Sequence, residues 1–177
     1  KKFKTFEQKK NVSIVIGEAA RQDVDYKLAA NIAHAESKLK DGQAAKTSSA
    51  VGLFQLTGAA EKDARRILKN KKLNVYDPKD NAKLGIAYVK HIQNQLKKVT
   101  GKQPEDYLIY TAYHQGIGGV LTLLDKNNQD KPAAKLLPKA AKANKRMFYH
   151  PKSEKPYSVR KVRQNLKDYF EQNKIDS

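Results

Sequence analysis

The sequence predicts a mainly α-helical protein organised as a single domain, and three observations carry that expectation. Apolar residues recur at three- and four-residue spacing along most of the chain. The segments with this period are bounded by helix-start residues, Asp25, Thr57 and Asp77-Pro78 among them. Strand signals are few, and the apolar-aromatic run that best suits a strand, Tyr107 to Tyr113, has no evident partner run. A chain of 177 residues with 39% apolar content is enough for one domain with a real core.

Along the chain, a first helix is expected over Val12 to Gln22, with Ser13 near its start. Asp25 caps a second, over Tyr26 to Leu39, in which Leu28, Ile32, Ala35 and Leu39 share a face widened by Ala29 and Ala33. Lys40 to Gly52 is small and polar and reads as a loop. Thr57 suits the N-cap of a helix reaching Lys69. Asp77-Pro78 pairs an N-cap with proline at the first helical position, and Leu84, Tyr88, Ile92, Leu96 and Val99 carry that helix to Gly101. Tyr107 to Tyr113 is read as helix because its surroundings are helical. Gly116, Gly118 and Gly119 break it before a short segment from Val120 to Leu124. A polar linker over 126–135 leads to an alanine- and lysine-rich helix near Ala133 to Lys145. Pro156 opens a last helix along Val159, Val162, Leu166 and Phe170. The expected organisation is a basic extension over residues 1–10 and one domain over 11–173.

Composition excludes several classes. The chain has no cysteine, which removes disulfides and thiolate metal sites. No stretch approaches the roughly 18 apolar residues of a membrane span. The start, Lys1-Lys2-Phe3-Lys4, lacks the apolar core of a signal peptide and reads as a processed end or a piece of a longer protein. His34, His91, His114 and His150 have no metal-ligand spacing, so neither metal nor cofactor is expected. Gly116-Ile117-Gly118-Gly119 lacks the flanking pattern of a phosphate loop.

The net charge of +18 is the strongest compositional signal. Residues 1–10 carry five lysines against Glu7, and residues 131–177 carry thirteen Lys/Arg against four acids. Such a field favours an anionic partner: nucleic acid, lipid headgroups or acidic envelope polymers. Taken alone it would suit a basic, helical nucleic-acid-binding protein.

Glu36 does not fit its surroundings. It lies four positions after Ile32 and seven after Ala29, on the apolar side of its helix. Buried there, a carboxyl group holds its proton to higher pH, as a general acid requires. At the edge of the stripe it would simply pair with a lysine such as Lys40.

The segments C-terminal to Glu36 add to that signal. Ala35-Glu36-Ser37 is succeeded by Gly52-Leu53-Phe54-Gln55-Leu56-Thr57, then by Tyr76-Asp77-Pro78 with Asn81, Gly85 and Tyr88. Ala112-Tyr113-His114-Gln115-Gly116 comes next, and Glu154-Lys155-Pro156-Tyr157-Ser158-Val159 closes the series. In this order, over roughly residues 10 to 170, the segments resemble the catalytic domain of the family 1 lytic transglycosylases, relatives of goose-type lysozyme.

That resemblance implies a lysozyme-like helical domain with a substrate cleft, acting on bacterial peptidoglycan in the periplasm or cell wall. The host setting would be an exported, phage-encoded or virion-associated protein, monomeric as an isolated domain. Glu36 would protonate the glycosidic oxygen between N-acetylmuramic acid and N-acetylglucosamine, then take the proton of the muramyl C6 hydroxyl as it attacks C1. Ser37 would help place substrate or Glu36, and Gln55 would hydrogen-bond the sugar. Phe54, His114 and Gln115 fall in the substrate-binding motifs, while Tyr113 and Tyr157 would orient the carboxyl group. The family usually has asparagine where this chain has His114, whose donor pattern changes with pH. A goose-type muramidase, with water as nucleophile, is the nearest rival, and Asp41 or Glu61 would then be its second carboxylate.

Overall fold

A computed structural model describes residues 3–42 and 49–175. The chain forms two compact units, one of residues 1–94 with 173–177 and one of residues 95–172. Among the described residues extended pairing is limited to isolated antiparallel bridges, at Val51–Leu56, Pro132–Ser158 and Tyr149–Pro156. The rest is helix and connecting turns, as the spacing of apolar residues predicts.

In the first unit, α1 (Phe6–Arg21) packs against α2 (Tyr26–Ser37). The first helix begins six residues earlier than Val12, so residues 6–10 of the expected basic extension belong to it. The reason is local. Thr5 and Gln8 form a capping box, with Gln8 N donating to Thr5 Oγ1 at 3.1 Å and Thr5 N donating to Gln8 Oε1 at 3.3 Å. Asp25 caps α2 as expected, its Oδ1 accepting from Lys27 N and Leu28 N. α2 stops at Ser37, two residues short of Leu39, because Lys38 and Leu39 both take left-handed backbone angles.

Thr57 then caps α3 (Gly58–Leu68), and Asp77 precedes α4 (Pro78–Thr100), where Asp80 N donates to Asp77 Oδ2. The division between units falls inside α4, after Asn94. Leu28, Ile32, Leu39, Leu53, Phe54, Leu56, Leu84, Ile86 and Ile92 are the large, fully buried apolar residues of the first unit. Residues 43–48 of the expected loop lie outside the described residues.

In the second unit, α5 (Asp106–Leu124) takes in the ambiguous run Tyr107 to Tyr113 as helix and bends at Gly116. It packs against α9 (Val159–Gln172). The single helix expected near Ala133 to Lys145 is instead three short ones: α6 (Ala133–Leu136), α7 (Pro138–Ala143) and α8 (Lys145–Phe148). Pro138 starts α7 at a position that cannot donate into a continuous ladder, and Leu137 and Asn144 leave helical geometry. These short helices bury Ala133, Ala141, Met147 and Phe148 in one cluster with Leu123, Val159 and Val162. The last helix begins at Val159 rather than Pro156, since Pro156 is taken up in the bridge to Tyr149.

Candidate active site

In the first unit the site grows from the C-terminal end of α2. Glu36 is the penultimate residue of that helix and is half-buried rather than enclosed. Ser37, the last, is only 3% exposed. Its Oγ lies 3.0 Å from the carbonyl oxygen of Ala33, one turn back, and 2.9 Å from that of Leu53. The hydroxyl has one proton to donate between these two acceptors. The second contact ties the end of α2 to a turn sixteen residues onward.

That turn is Gly52 to Gln55, closed by the reciprocal backbone bonds between Val51 and Leu56 and by Gln55 N donating to Gly52 O at 3.1 Å. Gly52 has φ +76°, and a Cβ there would overlap the side-chain amide of Asn81, so both dihedral and space demand glycine. Gln55 is also left-handed, at φ +45°, and its Nε2 donates to Gly52 O at 2.9 Å. Phe54 is fully buried and lies against Gly85 of α4, where a Cβ would collide with the root of its ring.

Asn81 holds the turn from α4. It is 1% exposed, accepts from Phe54 N at 3.0 Å, and donates through Nδ2 to Val51 O at 3.0 Å and Val75 O at 2.9 Å. The sequence motif contained Asn81 and Gly85 but no role for them. The available signal was a polar residue at the same helical face as Gly85 and Tyr88, at spacings of four and three. Further along that face, burial pushes the Tyr88 phenol above its ordinary value of 10.0, and the charge of Asp63 adds to the rise.

In the second unit, Tyr113, His114 and Gln115 occupy the last positions of α5 before Gly116. Gly116 adopts φ +78° and ψ +165°, a region open essentially to glycine alone. His114 is exposed and meets Tyr110 edge-on, ring centres 4.9 Å apart, with Tyr113 at 5.8 Å. Tyr113 is half-buried. Gln115 Oε1 is buried with no hydrogen-bond partner among the described residues.

Tyr157 is pinned by its backbone, donating to Phe148 O at 2.8 Å and accepting from Ala133 N at 3.0 Å. Its ring borders an open groove with Lys145, Tyr149, His150 and Lys161. Lys161 Nζ stands 5.9 Å from the ring centre, and the His150 ring meets it edge-on at 6.1 Å.

Glu36, Ser37, Phe54 and Gln55 thus belong to the first unit, where Ser37 and the Asn81-held turn join them. Tyr113, His114, Gln115 and Tyr157 belong to the second. Ser37 is expected to help place substrate or Glu36, and Phe54 to fall in a substrate-binding motif; the structure buries both, engaging the serine hydroxyl with backbone and the phenylalanine ring with Gly85. Glu61, considered as a second carboxylate, accepts two bonds from the Arg65 guanidinium, at 3.0 and 2.7 Å. Among the described residues no group of three His, Asp or Glu side chains is placed to hold a metal ion.

This helical fold is similar to that of lytic transglycosylase Slt from Pseudomonas aeruginosa, solved as an inactive glutamate-to-glutamine mutant. The TM-score is 0.56 at 18% identity, over 90% of this chain and 24% of that one. Residues 13–137 match the family described as the transglycosylase SLT domain, and the chain belongs to that family. It is also 28% identical over 122 residues to membrane-bound lytic murein transglycosylase E of Buchnera aphidicola subsp. Acyrthosiphon pisum (strain APS). That match covers 66% of this chain and 55% of the relative, so the chain spans about half the relative's length.

Proposed function

We propose that this domain is a peptidoglycan lytic transglycosylase that cleaves the β-1,4 bond between N-acetylmuramic acid and N-acetylglucosamine. The observation that carries this reading is Glu36, seated at the end of α2 beside a buried Ser37, in a chain of the SLT domain family. Glu36 protonates the leaving glycosidic oxygen and then accepts the proton of the muramyl C6 hydroxyl, which closes the 1,6-anhydro ring on C1. Most glycosidases use two carboxyl groups, one of them to activate water or to attack. A hydroxyl tethered to the reacting sugar replaces that second group, since intramolecular attack reaches effective molarities of roughly 10⁵ M or more.

Ser37 acts by fixing the helix end that carries Glu36, and Phe54 by supporting the turn that presents Gln55. Gln55 hydrogen-bonds the sugar. Tyr113, His114, Gln115 and Tyr157, all in the second unit, serve in substrate binding. The transglycosylase names of the Buchnera and Pseudomonas relatives support the reading, and the latter's inactive glutamate-to-glutamine mutant agrees with an essential glutamate. The net charge of +18 recruits the domain to anionic envelope polymers around the glycan strands. The setting is the periplasm or cell wall, reached by an exported, phage-encoded or virion-associated protein that is monomeric as an isolated domain.

The test is digestion of purified peptidoglycan followed by mass spectrometry. Wild type releases muropeptides ending in 1,6-anhydro-N-acetylmuramic acid, lighter by one water than hydrolytic products. Glu36→Gln folds normally and loses about 10² to 10⁴-fold in rate. Near-wild-type turnover by folded Glu36→Gln removes Glu36 from the mechanism. Reducing ends that dominate from the first time points make the enzyme a muramidase.

A further inference from the structure

We propose that the first helix is a clamp on the turn that leaves Glu36, with Gln8 and Asn11 as positioning residues for catalysis. The catalytic part of this proposal rests on Glu36 being the acid and base of the proposed reaction. After Ser37 the chain passes through two consecutive residues in left-handed geometry, Lys38 at φ +57° and Leu39 at φ +62°. Neither is glycine, and any residue with a Cβ disfavours that region, all the more two in succession. Such a turn persists only where its surroundings hold it.

Three side chains of α1 do so. Glu7 Oε1 accepts from Asp41 N at 3.1 Å, Gln8 Nε2 donates to Lys38 O at 3.0 Å, and Asn11 Nδ2 donates to Leu39 O at 2.8 Å. Positions 7, 8 and 11 share one side of a helix, so a single face of α1 meets the turn at three successive points. Gln8 is fixed for the task, because its Oε1 accepts from Lys4 N and Thr5 N in the capping box while its Nε2 reaches Lys38.

Asn11 gives the second line of evidence. It is fully buried, and its Oδ1 has no hydrogen-bond partner among the described residues. An apolar residue there would avoid the cost of a buried, unmet acceptor. What an apolar residue cannot supply is the donor to Leu39 O. On the other side of the helix end, Ser37 Oγ reaches Leu53 O. The last turn of α2, with Glu36 in it, is therefore held from α1 through residues 38–41 and from the Gly52–Gln55 turn through Ser37.

The experiment compares wild type, Asn11→Leu, Gln8→Ala and the double variant Asn11→Leu/Lys38→Gly. Amide hydrogen exchange at Lys40 and Asp41 reads the turn, and peptidoglycan turnover reads its consequence. Asn11→Leu is expected to fold with a thermal midpoint near wild type and to speed exchange at these amides about tenfold. Its kcat falls about tenfold with KM within twofold. Lys38→Gly, which adopts the left-handed geometry freely, restores at least a third of the lost kcat.

Gln8→Ala, at a half-exposed position, carries the same test where Asn11→Leu does not fold. Unchanged exchange in a folded variant overturns the clamp. Faster exchange with unchanged kcat, or a loss that Lys38→Gly leaves untouched, overturns the positioning role. A wild-type protein that leaves peptidoglycan intact overturns the reading of Glu36 instead, and the exchange data still decide the clamp.

Discussion

Asn81 accepts the backbone N–H of Phe54 at 3.0 Å across twenty-seven residues of sequence, and with its amide nitrogen it holds the carbonyls of Val51 and Val75. One buried side chain therefore satisfies both directions of the Gly52–Gln55 turn. Neither direction is open to water, because Asn81 is almost wholly enclosed. The turn in turn receives Ser37 at Leu53 O, so the positions of Glu36 and Gln55 descend from the same buried amide.

Asn81→Ala removes the partner of the Phe54 N–H and of the Val75 carbonyl in the interior, while Val51 O keeps its bond from Leu56 N. Each unmet buried group costs about 1–3 kcal/mol, and partial relaxation brings the expected loss to roughly 2–5 kcal/mol. Urea unfolding measures it. Asn81→Asp separates the two directions. Its carboxylate can accept from Phe54 N but sets an anionic oxygen against Val51 O and Val75 O, where protonation supplies the missing donor. The native state then holds that proton more tightly than the unfolded chain does, so stability lost at pH 7 returns as the pH falls towards 4. A loss independent of pH would show that the Val75 carbonyl does not need a donor from position 81.

Gly116→Ala tests the bend in α5. At φ +78° and ψ +165° an alanine is strained by about 1–3 kcal/mol, although no neighbouring atom lies within 4 Å of the added Cβ. The cost is purely of backbone conformation. The variant is expected to lose that much stability in urea unfolding, while Gly118→Ala, at a helical position with equally open space, loses none. Equal effects at both positions would place the cause elsewhere than the Gly116 dihedrals.

Tyr88 links the first unit to pH. Burial, and secondarily Asp63, raise its native pKa above the ordinary 10.0, so the folded state holds the phenolic proton after the unfolded chain begins to lose it. This contribution is present in full below about pH 10 and fades as the pH climbs from there through the raised native value. The midpoint of urea unfolding should therefore fall more steeply above pH 10 in wild type than in Tyr88→Phe. Parallel curves for the two proteins would show that Tyr88 titrates alike in both states.

Much of the helical frame is legible in local chemistry. Asp25, Thr57 and Asp77 cap the helices that their positions predict, because a capping bond spans two or three residues and is decided where it is made. The run Tyr107 to Tyr113 goes with its helical neighbours against its own β propensity. Two further local signals set boundaries that apolar spacing alone misplaces. Thr5 and Gln8 form a capping box that starts α1 inside the expected extension, and Pro138 divides the expected helix near Ala133 to Lys145.

The motifs carry the order Glu-Ser, Gly-Leu-Phe-Gln, Ala-Tyr, and with it the family to which the chain belongs. The helical class, most helix starts and the residue types available for chemistry are therefore properties of the linear chain. What each polar residue holds is a property of the packed one. Asn11 meets Leu39, Ser37 meets Leu53, and Asn81 meets Phe54, at separations of 28, 16 and 27 residues. A buried amide or hydroxyl looks the same in the sequence whether it faces water or a distant carbonyl. Its partner is fixed by which backbone groups the packed helices leave unpaired, and that becomes known only when the chain has folded.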